Sequence, residues 1–363
     1  MKFKTKKSEL VKALQIVENA VAIKATMPVL MQVLLNLNGN TLQLSTTNLN
    51  LSITTNIVVA VQEEGALTLP FKRFKDVVSA LSNEEIEITT DQHNSIIINN
   101  NNCKLKIKSL SADDFPKLPD IKTENTFKIK YSLLSEMVMR TAFAASLDEA
   151  RAIFTGILLE VEQDNIILAA TDSKRIAVSK NKLSTSINTH LKAIVPAKTF
   201  KEIVTMLQGE GDLLITMEER MIGVIFGPTK ITSRVINGEY PDYSKVIPSS
   251  NENKLTVSRK NLLEALKRSA LFMTEEYQST KFDFTQNKLT ISKITPDVGE
   301  FQEEINITYA GGDIVIGFYP NYLIDALSNL TEEVIECELT AADRPAVIKV
   351  ADYTYIVLPM RLH

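Results

Sequence analysis

The chain has 363 residues, 44% hydrophobic and 23% charged, which is too long for one ordinary hydrophobic core and reads as two or three globular domains. A formal net charge of −4 gives no overall basic footprint, so a nucleic-acid partner would require positive charge sorted onto one surface. Two cysteines, Cys103 and Cys337, leave no disulfide framework, and no apolar run could cross a bilayer; a cytoplasmic protein with no signal peptide and no membrane partner is expected.

From the N-terminus, an alternating lead (Phe3, Thr5) runs into a helical stripe, Leu10, Ala13, Leu14 and Val17. Gly39-Asn40 marks a turn before the alternating Leu42-Gln43-Leu44. Pro70 announces a second helix with Phe74, Val77, Val78 and Leu81 on one face. Short strands follow at 86–88 and 104–108, with Asn99 to Asn102 expected as the turn between strands. A connector, 111–116 with Pro119, closes this unit.

The same order then recurs. Phe127 and Ile129 lead to Leu134, Met137, Val138 and Thr141, and Pro196 precedes Phe200, Ile203, Val204 and Leu207. The second connector is 239–243 with Pro248. Leu255 and Val257 lead to Leu262, Ala265, Leu266 and Ser269; Gly311-Gly312-Asp313 marks a turn, and Pro320 precedes Leu323, Ala326, Leu327 and Leu330. A repeated period of this length means copies of one structural unit. The expected fold is α+β, three repeated domains at 1–121, 122–249 and 250–363, each with two helices and about eight antiparallel strands.

Catalytic patterns are absent. His93, His190 and His363 fall on expected loops or the terminus, without a Cys or His at metal-ligand spacing. No phosphate-binding Gly-Lys-Ser/Thr loop and no Gly-x-Ser-x-Gly elbow occurs. Asp113 and Asp114 read as a solvated loop before Phe115-Pro116, although acidic pairs also hold magnesium in nucleases. No catalytic residue, metal or cofactor is therefore expected.

Basic charge recurs on the second helix of two copies: Lys72 and Lys75 with Arg73 in the first, Lys198 and Lys201 in the second. Lys2, Lys4, Lys6, Lys7 and Lys12 crowd the N-terminus, and Arg259, Lys260, Lys267 and Arg268 sit on the third copy's first helix. Asn321, Ile324 and Glu136 interrupt the pattern. These are solvated helix faces or a belt of sequence-independent phosphate contacts; the residues alone leave both open.

Six ordered segments carry a resemblance over the whole chain: Met1-Lys2-Phe3, Pro28-Val29-Leu30, 112–116 (Ala-Asp-Asp-Phe-Pro), 170–177 (Ala-Thr-Asp-Ser-Lys-Arg-Ile-Ala), 238–243 (Gly-Glu-Tyr-Pro-Asp-Tyr) and 358–362 (Leu-Pro-Met-Arg-Leu). On a threefold repeat they resemble the bacterial DNA sliding clamp, the beta subunit of DNA polymerase III. That resemblance implies a non-catalytic processivity factor: a head-to-tail homodimeric ring of six similar domains, with helices lining a hole that encircles double-stranded DNA. It implies as partners a replicative polymerase subunit, a clamp loader and other proteins with clamp-binding motifs.

Matched by position, the partner-peptide pocket would be lined by Phe154, Thr171, Ser173, Lys174, Arg175, Ile176, Pro241, Lys245, Val246, Tyr322, Pro345, Ile356, Leu358, Met360 and Arg361. The chain departs from the family at Ser173-Lys174, where Gly-His is common, at Lys245, where arginine is common, and at His363, one residue beyond the usual end. DNA-facing residues would be Lys24, Lys72, Arg73, Lys75, Lys198 and Lys201, and the dimer interface Leu105, Ile107, Leu271 and Phe272. Local core packing rivals the interface reading for Leu105 and Ile107. Two other functions remain: a repeat-built protein-binding scaffold with no DNA role, and a DNA-modifying enzyme with an acidic site.

Overall fold

A computed structural model describes residues 1–91, 95–122, 124–207, 209–247 and 253–362. His93, Pro248 and His363 lie outside the described residues. Six α-helices of eight residues or more occur among those described: α1 (Lys7–Val17), α2 (Phe71–Ala80), α3 (Tyr131–Thr141), α4 (Ala197–Met206), α5 (Arg259–Ala270) and α6 (Pro320–Ser328). Each copy of the repeat has two.

The periodicity explains the helices. The stripes Leu10, Ala13, Leu14, Val17 and Leu134, Met137, Val138, Thr141 are buried, as are Leu262, Ala265, Leu266 and Ser269. Side chains three and four apart share a helix face, so each stripe packs against sheet while the other faces stay wet. On α5 the Ser258 hydroxyl accepts from the Asn261 N–H at 3.4 Å, and Lys267 and Arg268 sit in the last turn, where the helix dipole favours cations.

The three copies share one junction. The lead strands Lys2–Lys6, Thr126–Lys130 and Asn253–Ser258 pair antiparallel with the strands after the second helices, Glu85–Thr90, Asp212–Met217 and Val334–Leu339. In each copy the first N–H of the following helix donates to the residue just before that strand: Lys7 to the Glu84 carbonyl, Tyr131 to Gly211 and Arg259 to Glu333. An otherwise orphaned helix-terminal donor is satisfied the same way three times.

The chain forms two compact units, residues 1–131 with 202–235, and residues 132–201 with 236–363. The first holds a five-stranded sheet ending in Cys103–Lys108 and an eight-stranded sheet. In the latter, Thr229–Arg234 of the central copy pairs with Leu51–Val58 of the first, and the Thr55 and Thr229 hydroxyls meet at 2.9 Å. The second holds a ten-stranded sheet in which 175–179 pair with 353–357. The central copy thus contributes strands to a shared sheet in each unit, which is why compactness does not follow the repeat.

Two expectations fail. Asn99 and Asn100 belong to strand Ser95–Asn100, and only Asn101 and Asn102 make the turn. Asn100 is 1% exposed because its amide donates to the Asn83 and Glu85 carbonyls and its oxygen accepts the Asn83 N–H, a local network that composition does not reveal. His190 lies inside strand Arg175–Pro196, not on a loop, with Nε2 2.7 Å from Glu160 Oε1 on the neighbouring strand.

Candidate partner pocket and basic surfaces

The pocket residues gather in the second unit around a tight turn. Strands Gly156–Thr171 and Arg175–Pro196 are joined by Asp172, Ser173 and Lys174. Asp172 Oδ1 accepts the N–H groups of Lys174 (2.9 Å) and Arg175 (3.0 Å). The Thr171 hydroxyl accepts from the Ser173 N–H at 3.0 Å and donates to the Arg175 carbonyl at 2.6 Å. These four bonds hold Ser173 at φ +76°, the left-handed region that favours glycine. Serine at this position therefore keeps a glycine-like backbone, at a local cost of roughly 1 kcal/mol.

Arg175 is the keystone of the turn and is only 8% exposed. Its guanidinium donates to Asp172 (3.0 Å), to Asp325 on α6 (2.7 Å) and to the Phe143 carbonyl (2.7 Å). It also stacks 4.4 Å from the Tyr322 ring centre. Nearby, Arg140 of α3 bonds Glu332 at 2.8 Å, and the Tyr355 hydroxyl donates to the Tyr322 carbonyl at 2.7 Å. Arg175 therefore latches central-copy elements to third-copy elements. Burial raises the pKa of Tyr322 and lifts that of Tyr243 to about 12.

Arg175→Met is expected to destabilise the protein by about 2–3 kcal/mol, because two carboxylates lose their shared partner while Asp325 keeps some water. Denaturant titration checks this; an unchanged midpoint would remove the latch.

The remaining residues lie on several elements of the same unit. Ile176 is half-buried opposite Ile356 on strand Tyr353–Val357, and Ile356 is fully buried, as is Thr171, so these two support the surface from beneath. Val246 and Leu358 are exposed, with Met360 half-buried. Pro241, Lys245 and Arg361 are also exposed, and Lys245 pairs with Asp242 at 3.2 Å. Pro345 precedes strand Ala346–Val350, whose Ala346 pairs with Val357. The tail is pinned twice by its backbone: the Leu358 N–H donates to the Lys174 carbonyl at 2.9 Å and the Met360 N–H to Gly317 at 2.8 Å.

Sequence reasoning missed Arg151, which sits 5.1 Å from the Phe154 ring centre and donates to the Ser173 hydroxyl at 3.0 Å and the Asp172 carbonyl at 3.2 Å. It also missed Asp325 and Phe143, which lie 150 and 32 positions from the Arg175 they hold. Only Arg151, three residues before Phe154, carried a local signal.

The basic residues are less uniform than their spacing suggests. Lys72 and Arg73 are exposed beside the buried Phe71, Phe74 and Val78 of α2, and Lys24, Lys198 and Lys201 are exposed as well. Lys75 pairs with Glu18 just after α1. Arg259 turns inward to the Glu332 and Leu327 carbonyls, and Arg268 makes a two-pronged pair with Glu303 at 2.8 and 2.5 Å. Among the described residues no group of three His, Cys, Asp or Glu could hold a metal, and no helix is long and apolar enough to cross a membrane.

Comparison with known proteins covers the full chain. Family models for the DNA polymerase III beta subunit match in three parts: the N-terminal domain over residues 1–119, the central domain over 128–242 and the C-terminal domain over 244–361. The chain is 31% identical over 373 residues to the beta sliding clamp of Synechococcus elongatus, covering all of both. The crystal structure of the Bacillus subtilis DNA polymerase sliding clamp superposes with a TM-score of 0.97 at 27% identity, with full coverage of both chains. The Pseudomonas aeruginosa sliding clamp bound to griselimycin gives 0.95 at 28% identity, also with full coverage.

Proposed function

The chain belongs to the DNA polymerase III beta subunit family, the beta sliding clamps, and from that premise we propose that it encircles duplex DNA as a head-to-tail homodimeric ring and tethers its partners there. It is a processivity factor for the replicative DNA polymerase. The observation that carries this reading is the match of all three domain models in order along one chain. A scaffold without a DNA role is not favoured, since it gives no reason for that match. We take the domains as 1–121, 122–249 and 250–363, the protein as cytoplasmic, and any polymerase activity as its partner's.

Exposed Lys72, Arg73, Lys198 and Lys201 on α2 and α4 suit phosphate contacts that position without reading bases. Lys75, neutralised by Glu18, would contribute less than Lys72 and Arg73.

The surface built on Phe154, Ile176, Val246, Tyr322, Leu358 and Met360 suits capture of a short segment with apolar and aromatic anchors. It offers apolar area with a rim of charged and hydroxyl groups, including Arg151 and Ser173. Replacing Leu358, Met360 and Arg361 together with alanine is expected to weaken peptide binding by at least about a hundredfold, since two apolar anchors each contribute roughly 1.5–3 kcal/mol. Dimerisation should persist. Calorimetry with a polymerase-derived peptide checks it, and unchanged affinity would discard the pocket.

A further inference from the structure

Lys293, on strand Lys288–Thr295, is 5% exposed at a position where its strand otherwise buries Leu289, Ile291 and Thr295. Its ammonium donates to the carbonyl oxygens of Tyr277 (2.8 Å) and Ser279 (2.6 Å), and the Tyr277 ring centre lies 6.0 Å away. Both acceptors are neutral, and among the described residues no carboxylate pairs with this ammonium. Two of its three N–H groups are used, and burial lowers its pKa.

Lys293 borders a pocket of about 110 Å3, lined also by Tyr277, Ser279, Lys281, Ser292, Ile294 and Leu362. That is far more than one ordered water needs. Lys281 adds a second positive charge, partly offset by Asp283 at 3.4 Å. Two lysines and two serines thus line one partly open pocket that holds a net positive charge.

The cavity is continuous in construction with the partner surface, because the tail builds both. Cross-strand neighbours run Ser292, Lys281, Gly317, Met360. Gly317 has no side chain where the tail crosses: a Cβ there would lie 2.5 Å from the Met360 carbonyl oxygen and 2.9 Å from Leu362 Cδ2. The tail therefore presents Leu358 and Met360 to the partner surface while Leu362 walls the lysine cavity.

We propose that this cavity receives one carboxylate, supplied by an acidic residue of the partner segment docked against the tail. The proposal rests on the peptide-capture reading above. A buried ammonium with only neutral acceptors gains more from an anion than an exposed one does, because charge-assisted hydrogen bonds strengthen where water is excluded. Free carboxylates share this chemistry, so the source must be tested separately.

The full-length protein is titrated with peptides carrying the apolar–aromatic motif, with glutamate or glutamine placed in turn at each flanking position. At one position glutamate should bind about tenfold more tightly than glutamine, the gain expected of one charge-assisted hydrogen bond. Lys293→Met should abolish that difference and leave the glutamine peptide unchanged. If Lys293→Met does not fold, the half-exposed Lys281→Gln replaces it and should reduce the difference. In parallel, acetate is titrated while the 13C signals of lysine Cε are followed. A saturable shift of the Lys293 signal supports a carboxylate site. Equal glutamate and glutamine affinities at every position overturn the partner as its source, and an unmoved Lys293 signal as well overturns the site. If neither peptide binds the wild-type chain, the capture reading falls and so does the partner as source, while the acetate arm still decides whether the cavity takes a carboxylate.

Discussion

Leu271→Ala combined with Phe272→Ala is expected to convert the dimer into folded monomers. Leu271 caps α5 and is 77% exposed, and the Phe272 ring is half-buried, 6.0 Å from the Phe301 ring centre. Beside them, strand Gly299–Tyr309 pairs along 299–306, among the described residues, only with Lys288–Thr295, so one edge of that stretch is open. That stretch carries Glu300, Glu303 and Glu304, of which Glu303 already pairs with Arg268 and Glu304 with Lys288. The first unit ends in another open edge, Cys103–Lys108, carrying Lys104, Lys106 and Lys108. Two open strand edges suit a heterologous contact between copies, which closes into a ring if the rotation permits.

Burying one Leu and one Phe contributes about 3–6 kcal/mol per interface, so the double substitution should weaken each interface roughly 10²- to 10⁴-fold. Sedimentation at micromolar concentration, with circular dichroism to confirm folding, reads the result. Intact dimers would show that the contact lies elsewhere. Ile107 should be avoided in such a test. It is 4% exposed within its own sheet opposite Ile96, so its loss would damage the core first, whereas Leu105 is only half-buried.

Once loaded on nicked circular DNA, the protein should withstand a high-salt wash and leave only when the circle is cut. A surface binder that neutralises six phosphates loses about three decades of affinity between 50 and 200 mM salt, because each contact releases counterions. A closed ring leaves only by opening an interface, which follows different physics. The net charge of −4 also disfavours DNA on most of the surface, leaving Lys72, Arg73, Lys198 and Lys201 to act during loading and transient contact. Their substitution should slow loading while barely changing retention. Gel filtration of labelled protein before and after linearisation measures this. Equal release from circular and linear DNA as salt rises would replace the ring with a surface binder.

The helices and their buried faces are legible in the sequence, since Leu10, Ala13, Leu14 and Val17 and their counterparts follow the helical pitch. Proline marked the second helices well: Pro70 is the residue before α2, Pro196 precedes α4 and Pro320 opens α6. The asparagine run misled because turn propensity was applied to residues whose amides satisfy a neighbouring loop. Basic spacing overstated the free charge, since Lys75, Arg259 and Arg268 each find a partner distant in sequence. The motif match picked out the turn at Thr171, Ser173 and Arg175, but named Arg175 only as pocket lining, where burial makes it a latch.

What the primary structure carried unaided was everything local or repeated: helix faces follow from a pitch of 3.6 residues, and three copies show themselves by period. Folding in three dimensions decided what depends on distant residues meeting. The guanidinium of Arg175 finds Asp325 across 150 positions, Gly317 clears a path for a tail more than forty residues later, and Lys293 becomes an enclosed charge only when Tyr277 and Ser279 turn their carbonyls toward it. No window along the chain contains those pairs, because sheet register and burial, not spacing, bring them within hydrogen-bond reach.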